Sequence, residues 1–263
     1  MCRLIAIIDP QDETLTETAL RQFGSLAETG NIPPGMDKGH KDGWGVAAYK
    51  DEGVAILEKD PADAFADPKY QPAVMKIKDA APALVLGHLR KASLGLVSIE
   101  NTQPYTSGSY IFCHNGTLRD FEKLVLGPKY SAQRKGTTDS EIVFLFLLQT
   151  IEAKGDFTAG FMEGVAHLRA MNYTALNILM SNGRTLIALR EGNDKNEDVK
   201  KHGLCDSYYT LLQGKDAGGV PKIICSQPLD LPGIVWEEIP NHSALAMNVG
   251  NEDSVLLQVS DAH

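Results

Sequence analysis

The sequence lacks the features that mark membrane-spanning, secreted and zinc-binding proteins. Its apolar runs are all shorter than the ~18 residues of a membrane span, and the apolar start at residues 4–8 stops at Asp9 and Pro10, too early for a signal-peptide core. The 4 cysteines are scattered without a Cys-x-x-Cys spacing, which predicts free thiols and disfavours a zinc site. We therefore expect a cytoplasmic protein with no membrane partner, no metal and no cofactor.

Basic residues are too few for a nucleic-acid partner. Asp and Glu number 34 against 25 Lys and Arg, and the resulting formal charge of -9 disfavours binding to a phosphate backbone. The 263 residues, 43% of them hydrophobic, are enough for a substantial core. Because no repeat or Pro-, Gly- or Ser-rich linker divides the chain, we expect a single domain over residues 1–263.

Short apolar runs separated by turn residues predict strands near both ends of the chain. They fall at residues 3–8, 45–49, 54–57, 83–89, 110–114, 175–181, 185–190, 222–225, 235–239, 244–248 and 255–259. The Asn182-Gly183 pair predicts a tight hairpin between the strands on either side of it.

Two helices are predicted between these groups of strands. The first spans residues 139–154, with Thr138 as N-cap, Glu141 as its capping-box partner and Gly155 as terminator. The second spans about 158–171, while residues 193–201 read as a loop or an exposed helical turn. The order of elements predicts an α+β fold with two antiparallel sheets and helices outside.

Cys2 is the most informative single position. If Met1 is removed, one residue carries both a thiol and a free α-amine, and the amine can take the thiol proton. The reference pKa values of ~7.7–8.0 for an α-amine and ~8.5 for a thiol suit this transfer near neutral pH. The alternative is that Cys2 is a small buried hydrophobe at the start of a strand.

Three further positions have a chemical use and an ordinary structural one. Arg90 follows an apolar strand and could grip a carboxylate through two hydrogen bonds, or close the strand in an ion pair. Asn115 and Gly116 could supply two donors to an oxyanion, or form a turn at a strand end. Asp139 could bind a ligand ammonium, or stabilise the N-terminus of its helix. Together, Arg90 and Asp139 would hold both charged ends of an α-amino acid.

Histidines and a tryptophan cluster in the same segments. His40, Asp42, His88 and His114 could be drawn as a metal site, but their spacing fits no helix-borne ligand pair. We therefore expect satisfied core histidines instead. The glycines on either side of Trp44 allow close approach of the backbone to a ligand or to a neighbouring strand.

Cys2 and four ordered segments together resemble the class II glutamine amidotransferases, in which the N-terminal cysteine is the nucleophile. The segments are GHKDGWG at 39–45, GHLRKAS at 87–93, NTQPY at 101–105 with CHNG at 113–116, and GTTDSE at 136–141. The later ICSQPL at 224–229, with Trp236, resembles the closing part of small stand-alone members. The resemblance thus extends over most of the chain.

The resemblance implies a four-layer αββα sandwich and a set of site residues. Cys2 would be nucleophile and base, Asn115 and Gly116 the oxyanion donors. The substrate-binding residues would be Arg90, Ser93, Asp139, Trp44 and His88. Ser93 stands where a threonine is usual, Gln103 where a histidine commonly precedes the proline, and Lys91 where some members carry an aromatic residue. These departures affect the rim of the pocket more than its reacting centre.

The implied reaction is hydrolysis of a linear amide. Cys2 would attack the side-chain amide of glutamine, or of another γ-glutamyl small molecule, and water would release glutamate from a γ-glutamyl thioester. Two alternatives stay open. The chain could be a glutaminase subunit that delivers ammonia to a separate synthase, or a regulatory module that binds an amino acid without turnover.

Overall fold

Two antiparallel sheets lie face to face in the computed structural model, which describes residues 2–8, 12–50, 53–250 and 254–259. Within these residues the first sheet has seven strands. They are β1 (Arg3–Ile8), β2 (Trp44–Lys50), β3 (Gly53–Asp60), β4 (Leu84–Leu89), β9 (Leu212–Lys215), β10 (Pro221–Cys225) and β11 (Val235–Glu238). Their order across the sheet is β11-β9-β10-β1-β4-β2-β3, which places β1 at the centre.

The second sheet has six strands in the described residues. They are β5 (Tyr105–Ser107), β6 (Tyr110–Leu118), β7 (Tyr173–Ser181), β8 (Thr185–Arg190), β12 (Ser243–Asn248) and β13 (Ser254–Gln258). The order is β13-β12-β8-β7-β6-β5. The hairpin predicted at Asn182-Gly183 is confirmed, because β7 pairs with β8 directly across it.

The described residues form seven helices besides the two sheets. They are α1 (Glu13–Thr29), α2 (Tyr70–Ala80), α3 (Pro128–Ser131), α4 (Asp139–Lys154), α5 (Phe157–Arg169), α6 (Glu197–Lys201) and α7 (Leu204–Ser207), with a 3₁₀ turn at Phe121–Lys123. Helices α1 and α2 pack on the first sheet, and α4 and α5 on the second. The predicted αββα order of layers is confirmed.

The alternation of side chains along each strand divides the interior into separate cores. In β1, Ile5 and Ile7 pack against the α1 and α2 layer, whereas Leu4, Ala6 and Ile8 face the second sheet. This is the period of two expected of a strand covered on both faces. We call the space between the two sheets the interlayer.

The structure corrects several sequence predictions. Helices α1 and α2 and strands β5 and β9 were not predicted, and the predicted strand 110–114 continues to Leu118. Asn115 and Gly116 therefore lie inside β6, paired with β7, and do not form a turn at a strand end. No helix among the described residues is both long and apolar enough to cross a membrane.

At the start of α4, one of the two hydrogen bonds of the predicted capping box is present and the other is replaced. The Thr138 hydroxyl accepts from the Glu141 N–H at 3.2 Å, as predicted. The Glu141 carboxylate instead accepts from the N–H groups of Lys135 and Gly136, at 2.8 and 2.7 Å. It thereby fixes the loop that precedes α4. Gly155 ends the helix in the left-handed conformation, with φ of 70°.

Candidate active site

Cys2 lies immediately before β1 and is almost completely buried, at 9% exposure. Arg3 pairs with Leu89 of β4, so the next position of the ladder sets Cys2 beside Arg90. The Cys2 nitrogen donates to Asn115 Oδ1 at 2.8 Å, and Sγ lies 3.8 Å from the Lys91 carbonyl oxygen. The thiol is thus held at one end of the interlayer, between the two sheets. Met1 lies outside the described residues.

Asn115 presents an amide nitrogen without a partner to the same region. Its neighbours at alternate positions of β6, Ile111 and Cys113, pack in the interlayer, so Asn115 points there too. The residue is fully buried, and Nδ2 has no hydrogen-bond partner among the described residues. Because Oδ1 is occupied by the Cys2 nitrogen, Nδ2 is the atom left to donate to a ligand.

Gly116 stands where a side chain has no room. A Cβ at this position would lie 1.8 Å from the Ala175 carbonyl oxygen of β7. Only glycine therefore allows β6 and β7 to approach this closely beside Asn115. Its role as the backbone oxyanion donor stays a prediction.

The Arg90 guanidinium organises the loop that follows β4. It donates to the carbonyl oxygens of Leu94, Gly95 and Leu96 at 3.1, 3.3 and 3.1 Å, and it is 3% exposed. Ser93, in the same loop, lies with its Oγ 3.3 Å from the Thr117 hydroxyl of β6. Binding of a substrate carboxylate by Arg90 stays a prediction.

Asp139 joins helix α4 to the end of β6. Its Oδ2 accepts from the Leu118 N–H at 2.7 Å, and the side chain is buried at the first turn of the helix. The contact brings the helix N-terminus, which favours negative charge, close to the strand that carries Asn115. The predicted set is therefore gathered from β1, β4, β6 and α4.

The two other predicted substrate-binding residues lie on different faces of the first sheet. His88 pairs with Leu4 and faces the interlayer; both ring nitrogens are buried without partners among the described residues. Burial, and secondarily the Arg90 charge, lower its pKa well below the usual value, so the ring is neutral. Trp44 points away from Cys2 into the helical layer, where Nε1 donates to Asp67 at 2.8 Å. The structure thus leaves Trp44 outside this group.

The residues drawn as a metal cluster are separated by the fold. His40 donates through Nδ1 to the Leu26 carbonyl, and its Nε2 accepts from Arg3. Burial and the Arg3 charge lower the pKa of His40 to about 3. Asp42 accepts from the Ala92 N–H at 2.7 Å, and so steadies the loop after Arg90.

The fourth residue of that set, His114, faces helix α4 and lies 2.9 Å from the Ser140 hydroxyl. No group of three potential metal ligands occurs in the part of the chain that the structure describes. The Gln103 side chain holds the backbone of His114 by two hydrogen bonds. Its Oε1 accepts from the His114 N–H at 2.6 Å, and its Nε2 donates to the His114 carbonyl at 3.4 Å. Gln103 therefore fixes the backbone next to Asn115.

Sequence reasoning missed two further residues near this end of the interlayer. Asn177 of β7 lies directly opposite Asn115 in the strand register. A single asparagine within the apolar strand YTALNILMS was the available signal. The ring of Tyr208 packs against the Arg3 guanidinium, with 4.2 Å between the ring centre and the Arg3 Cζ atom. Nothing in the sequence indicated this residue.

One surface cleft adjoins this group. A cavity of about 540 Å³ is lined by residues 35–39 with Lys41, Asp42, Lys91 and Ala92, on the segment whose Lys91 carbonyl contacts the Cys2 sulfur. Another cavity, of about 590 Å³, lies by Tyr110, Tyr130 and Phe157 and contains none of the candidate residues. Cys2, Arg90, Asn115 and Asp139 line neither cavity.

Comparison with known proteins identifies the fold first. A glutamine aminotransferase class-II domain protein of Silicibacter pomeroyi superposes with a TM-score of 0.63 at 20% identity, covering 98% of this chain and 100% of that one. The two proteins therefore share the fold described above, in which two antiparallel sheets lie between layers of helices.

The sequence comparison gives the family. The family model of class-II glutamine amidotransferases matches residues 1–201, and the chain belongs to that family. The protein YafJ of Escherichia coli K12, provisionally named a glutamine amidotransferase, is 32% identical over 203 residues, which are 72% of each protein. A γ-glutamyl-hercynylcysteine sulfoxide hydrolase of Mycolicibacterium smegmatis is 28% identical over 84% of this chain and 79% of its own length. The chain spans only 53% of another relative, MJ1515 of Methanocaldococcus jannaschii.

Proposed function

We propose that this member of the class-II glutamine amidotransferase family hydrolyses the side-chain amide of glutamine or of a γ-glutamyl small molecule. The observation that carries the proposal is the contact between the Cys2 nitrogen and Asn115 Oδ1, with Asn115 Nδ2 left unpartnered. One asparagine thereby orients the amine and keeps a donor for the oxygen of the reacting amide. The hydrolase name of the mycobacterial relative supports an amide substrate.

Before the first turnover, removal of Met1 frees the amine of Cys2. The amine takes the thiol proton and Sγ attacks the amide carbon, so that an S–C bond forms and the carbonyl oxygen becomes an oxyanion. Asn115 Nδ2 and the Gly116 N–H stabilise that oxyanion. The ammonium then returns its proton to the leaving nitrogen, and ammonia or an amine departs.

Water completes the cycle at the γ-glutamyl thioester. The Cys2 amine takes a proton from the water, hydroxide adds to the thioester carbon, and the C–S bond breaks to give glutamate and the thiol. Arg90 and Ser93 bind the α-carboxylate side of the substrate and Asp139 its ammonium, with His88 as a neutral group in the buried wall. One catalytic domain over 1–263 and a cytoplasmic location complete the proposal.

The test is a panel of γ-glutamyl amides assayed for glutamate release, combined with intact mass. We expect loss of Met1, turnover of at least one amide, and no turnover by Cys2→Ala. A glutamine-like diazoketone should add once, at Cys2. Cys205→Ala is the matched control, because its thiol is partly exposed and should be irrelevant to both readouts.

The alternatives predict different results. Binding of glutamine without glutamate release, unchanged in Cys2→Ala, would replace the enzyme by a regulatory module. Release that increases many-fold with an added synthase would favour ammonia delivery over free hydrolysis. Activity of protein that retains Met1 would exclude the amine of Cys2 as the base.

A further inference from the structure

Asn177 of β7 is placed to act on the same substrate atom as Asn115. The two asparagines are direct partners in the β6–β7 register. Residues 176, 178 and 180 of β7 pack against the helices and Leu179 packs in the interlayer, so Asn177 faces the interlayer beside Asn115. Opposite residues of an antiparallel pair have Cβ atoms about 4.5–5.5 Å apart.

The Asn177 amide is locked in one orientation. Its Oδ1 accepts from the Glu191 N–H at 2.9 Å. Because a backbone N–H can only donate, the oxygen faces Glu191 and the amide nitrogen faces away from it. That nitrogen is buried and has no hydrogen-bond partner among the described residues.

Unpartnered buried groups collect around Cys2. Six buried side-chain nitrogen or oxygen atoms of the described residues lack a partner, and four of them belong to His88, Asn115 and Asn177. All three residues face the interlayer, from β4, β6 and β7. A buried donor without a partner costs folding free energy, so its persistence in adjacent residues points to a polar ligand.

The chemistry of an amide donor selects the ligand atom. An NH₂ group donates and cannot accept, and in the reacting amide the oxygen is the hydrogen-bond acceptor. An oxygen about 2.9 Å from each of two nitrogens can bridge them when they are up to about 5.8 Å apart, and the Cβ atoms that carry the two amides are expected to lie within that distance of each other. We propose that Asn177 Nδ2 donates to the acyl oxygen together with Asn115 Nδ2, an inference that rests on the proposed amide hydrolysis.

Asn177→Asp tests this role while leaving the structural contact in place. The aspartate can still accept from the Glu191 N–H, but it presents no NH₂ group and adds a carboxylate, so a loss of kcat counts for the donor role only if the uncharged Asn177→Ala loses kcat as well. We expect kcat to fall on the order of 10²-fold with KM changed less than threefold, the pattern of a donor that acts in the transition state. Asn177→Ala removes both contacts and should in addition lower the melting temperature.

Asn241→Asp is the matched control on the adjacent backbone. Asn241 accepts from the Gly192 N–H and donates to the Gly192 carbonyl, at 2.8 and 2.9 Å. The same chemical change there disturbs the segment after Glu191 without touching the interlayer, and kcat should remain within threefold of the unmodified protein.

The outcomes separate this inference from the proposed function. Unmodified protein that turns over no γ-glutamyl amide refutes both. Turnover that requires Cys2 but keeps its kcat in Asn177→Asp refutes the role of Asn177 alone. An equal loss of kcat in Asn241→Asp also overturns it, because the effect would then come from the backbone near Gly192.

Discussion

Asn115→Asp removes the donor of the Asn115 side chain, keeps an acceptor and adds a carboxylate. The substitution keeps an oxygen 2.8 Å from the Cys2 nitrogen and replaces the unpartnered NH₂ group by a second oxygen. Loss of one oxyanion donor costs about 2.7–4 kcal/mol of transition-state stabilisation, or about 10²–10³ in kcat. We expect a loss of this size with little change in KM.

Asn115→Ala removes the acceptor as well. The lost bond to the Cys2 nitrogen contributes about 0.5–1.5 kcal/mol, but alanine places no carboxylate beside the oxyanion, so both variants should be slower than the unmodified protein. The new carboxylate of Asn115→Asp favours the ammonium form of Cys2, which moves the acid limb of kcat/KM to higher pH. The alanine variant should show no such displacement.

The assay is steady-state glutamate release across pH 6–9 with the amide concentration varied from below KM to saturation, so that kcat and kcat/KM are both obtained. Asn182→Asp, in the turn between β7 and β8, introduces the same chemical change far from Cys2 and should behave as the unmodified protein. If Asn115→Asp keeps kcat within threefold at its pH optimum, Nδ2 does not stabilise the reacting oxygen, and the reasoning from its unpartnered state is wrong.

Two further substitutions test the framework of the site. Gly116→Ala places a Cβ 1.8 Å from the Ala175 oxygen, so β6 and β7 must part by about 1 Å, a displacement that costs on the order of 10²-fold in rate. The control is Gly53→Ala, whose Cβ meets nothing nearer than 4.0 Å and which should leave glutamate release unchanged. Equal activity of the two variants would contradict the steric argument. Burial and the Arg3 charge lower the pKa of His40 to about 3. Below pH ~6.5 the unfolded chain therefore takes up a proton at His40 while the folded chain does not. The free energy of unfolding should fall by about 1.4 kcal/mol for each pH unit of acidification. His40→Gln should reduce that slope in urea unfolding between pH 6 and 4, whereas exposed His202→Gln should not; equal slopes would show that His40 is protonated in the folded state.

Local signals were sufficient for some elements and insufficient for others. Helix α4 was predicted at its observed bounds because Thr138 and Gly155 mark its ends. Helix α1 was missed although its buried residues recur at helical spacing; they are Thr16, Ala19, Leu20, Phe23, Gly24, Leu26 and Ala27. Polar residues between them obscured the apolar face. The extension of β6 through Gly116 could not be predicted locally, since it depends on pairing with β7 some 60 residues later in the chain.

Several residues of the candidate site could be proposed from the sequence, but their arrangement in space could not. Cys2, Arg90 and Asn115 stood out in the sequence as chemical groups, and the fold brings them together, with Asn115 inside β6 and not at the strand end where it was expected. Trp44 stood out equally but lies on the opposite face of its sheet. Tertiary packing, and not the local sequence, decides which of the alternating side chains of β2 face the interlayer and which face the helices. Asn177 carried no recognisable motif, and only its register opposite Asn115 reveals it.

The position of the site follows from where the interlayer changes from apolar to polar. Along β1 and β4 the inward positions run from Leu4 to Cys2 and from Leu86 to His88; along β6 and β7 they run from Cys113 to Asn115 and from Leu179 to Asn177. At corresponding places β4, β6 and β7 therefore change to His88, Asn115 and Asn177, the chain before β1 places Cys2 there, and β6 contacts both β1 and β4. The apolar side chains of the interlayer exclude water, so electrostatic interactions with a bound amide are strengthened at this end. The same alternation that holds the two sheets together thus confines the reactive groups to a single place.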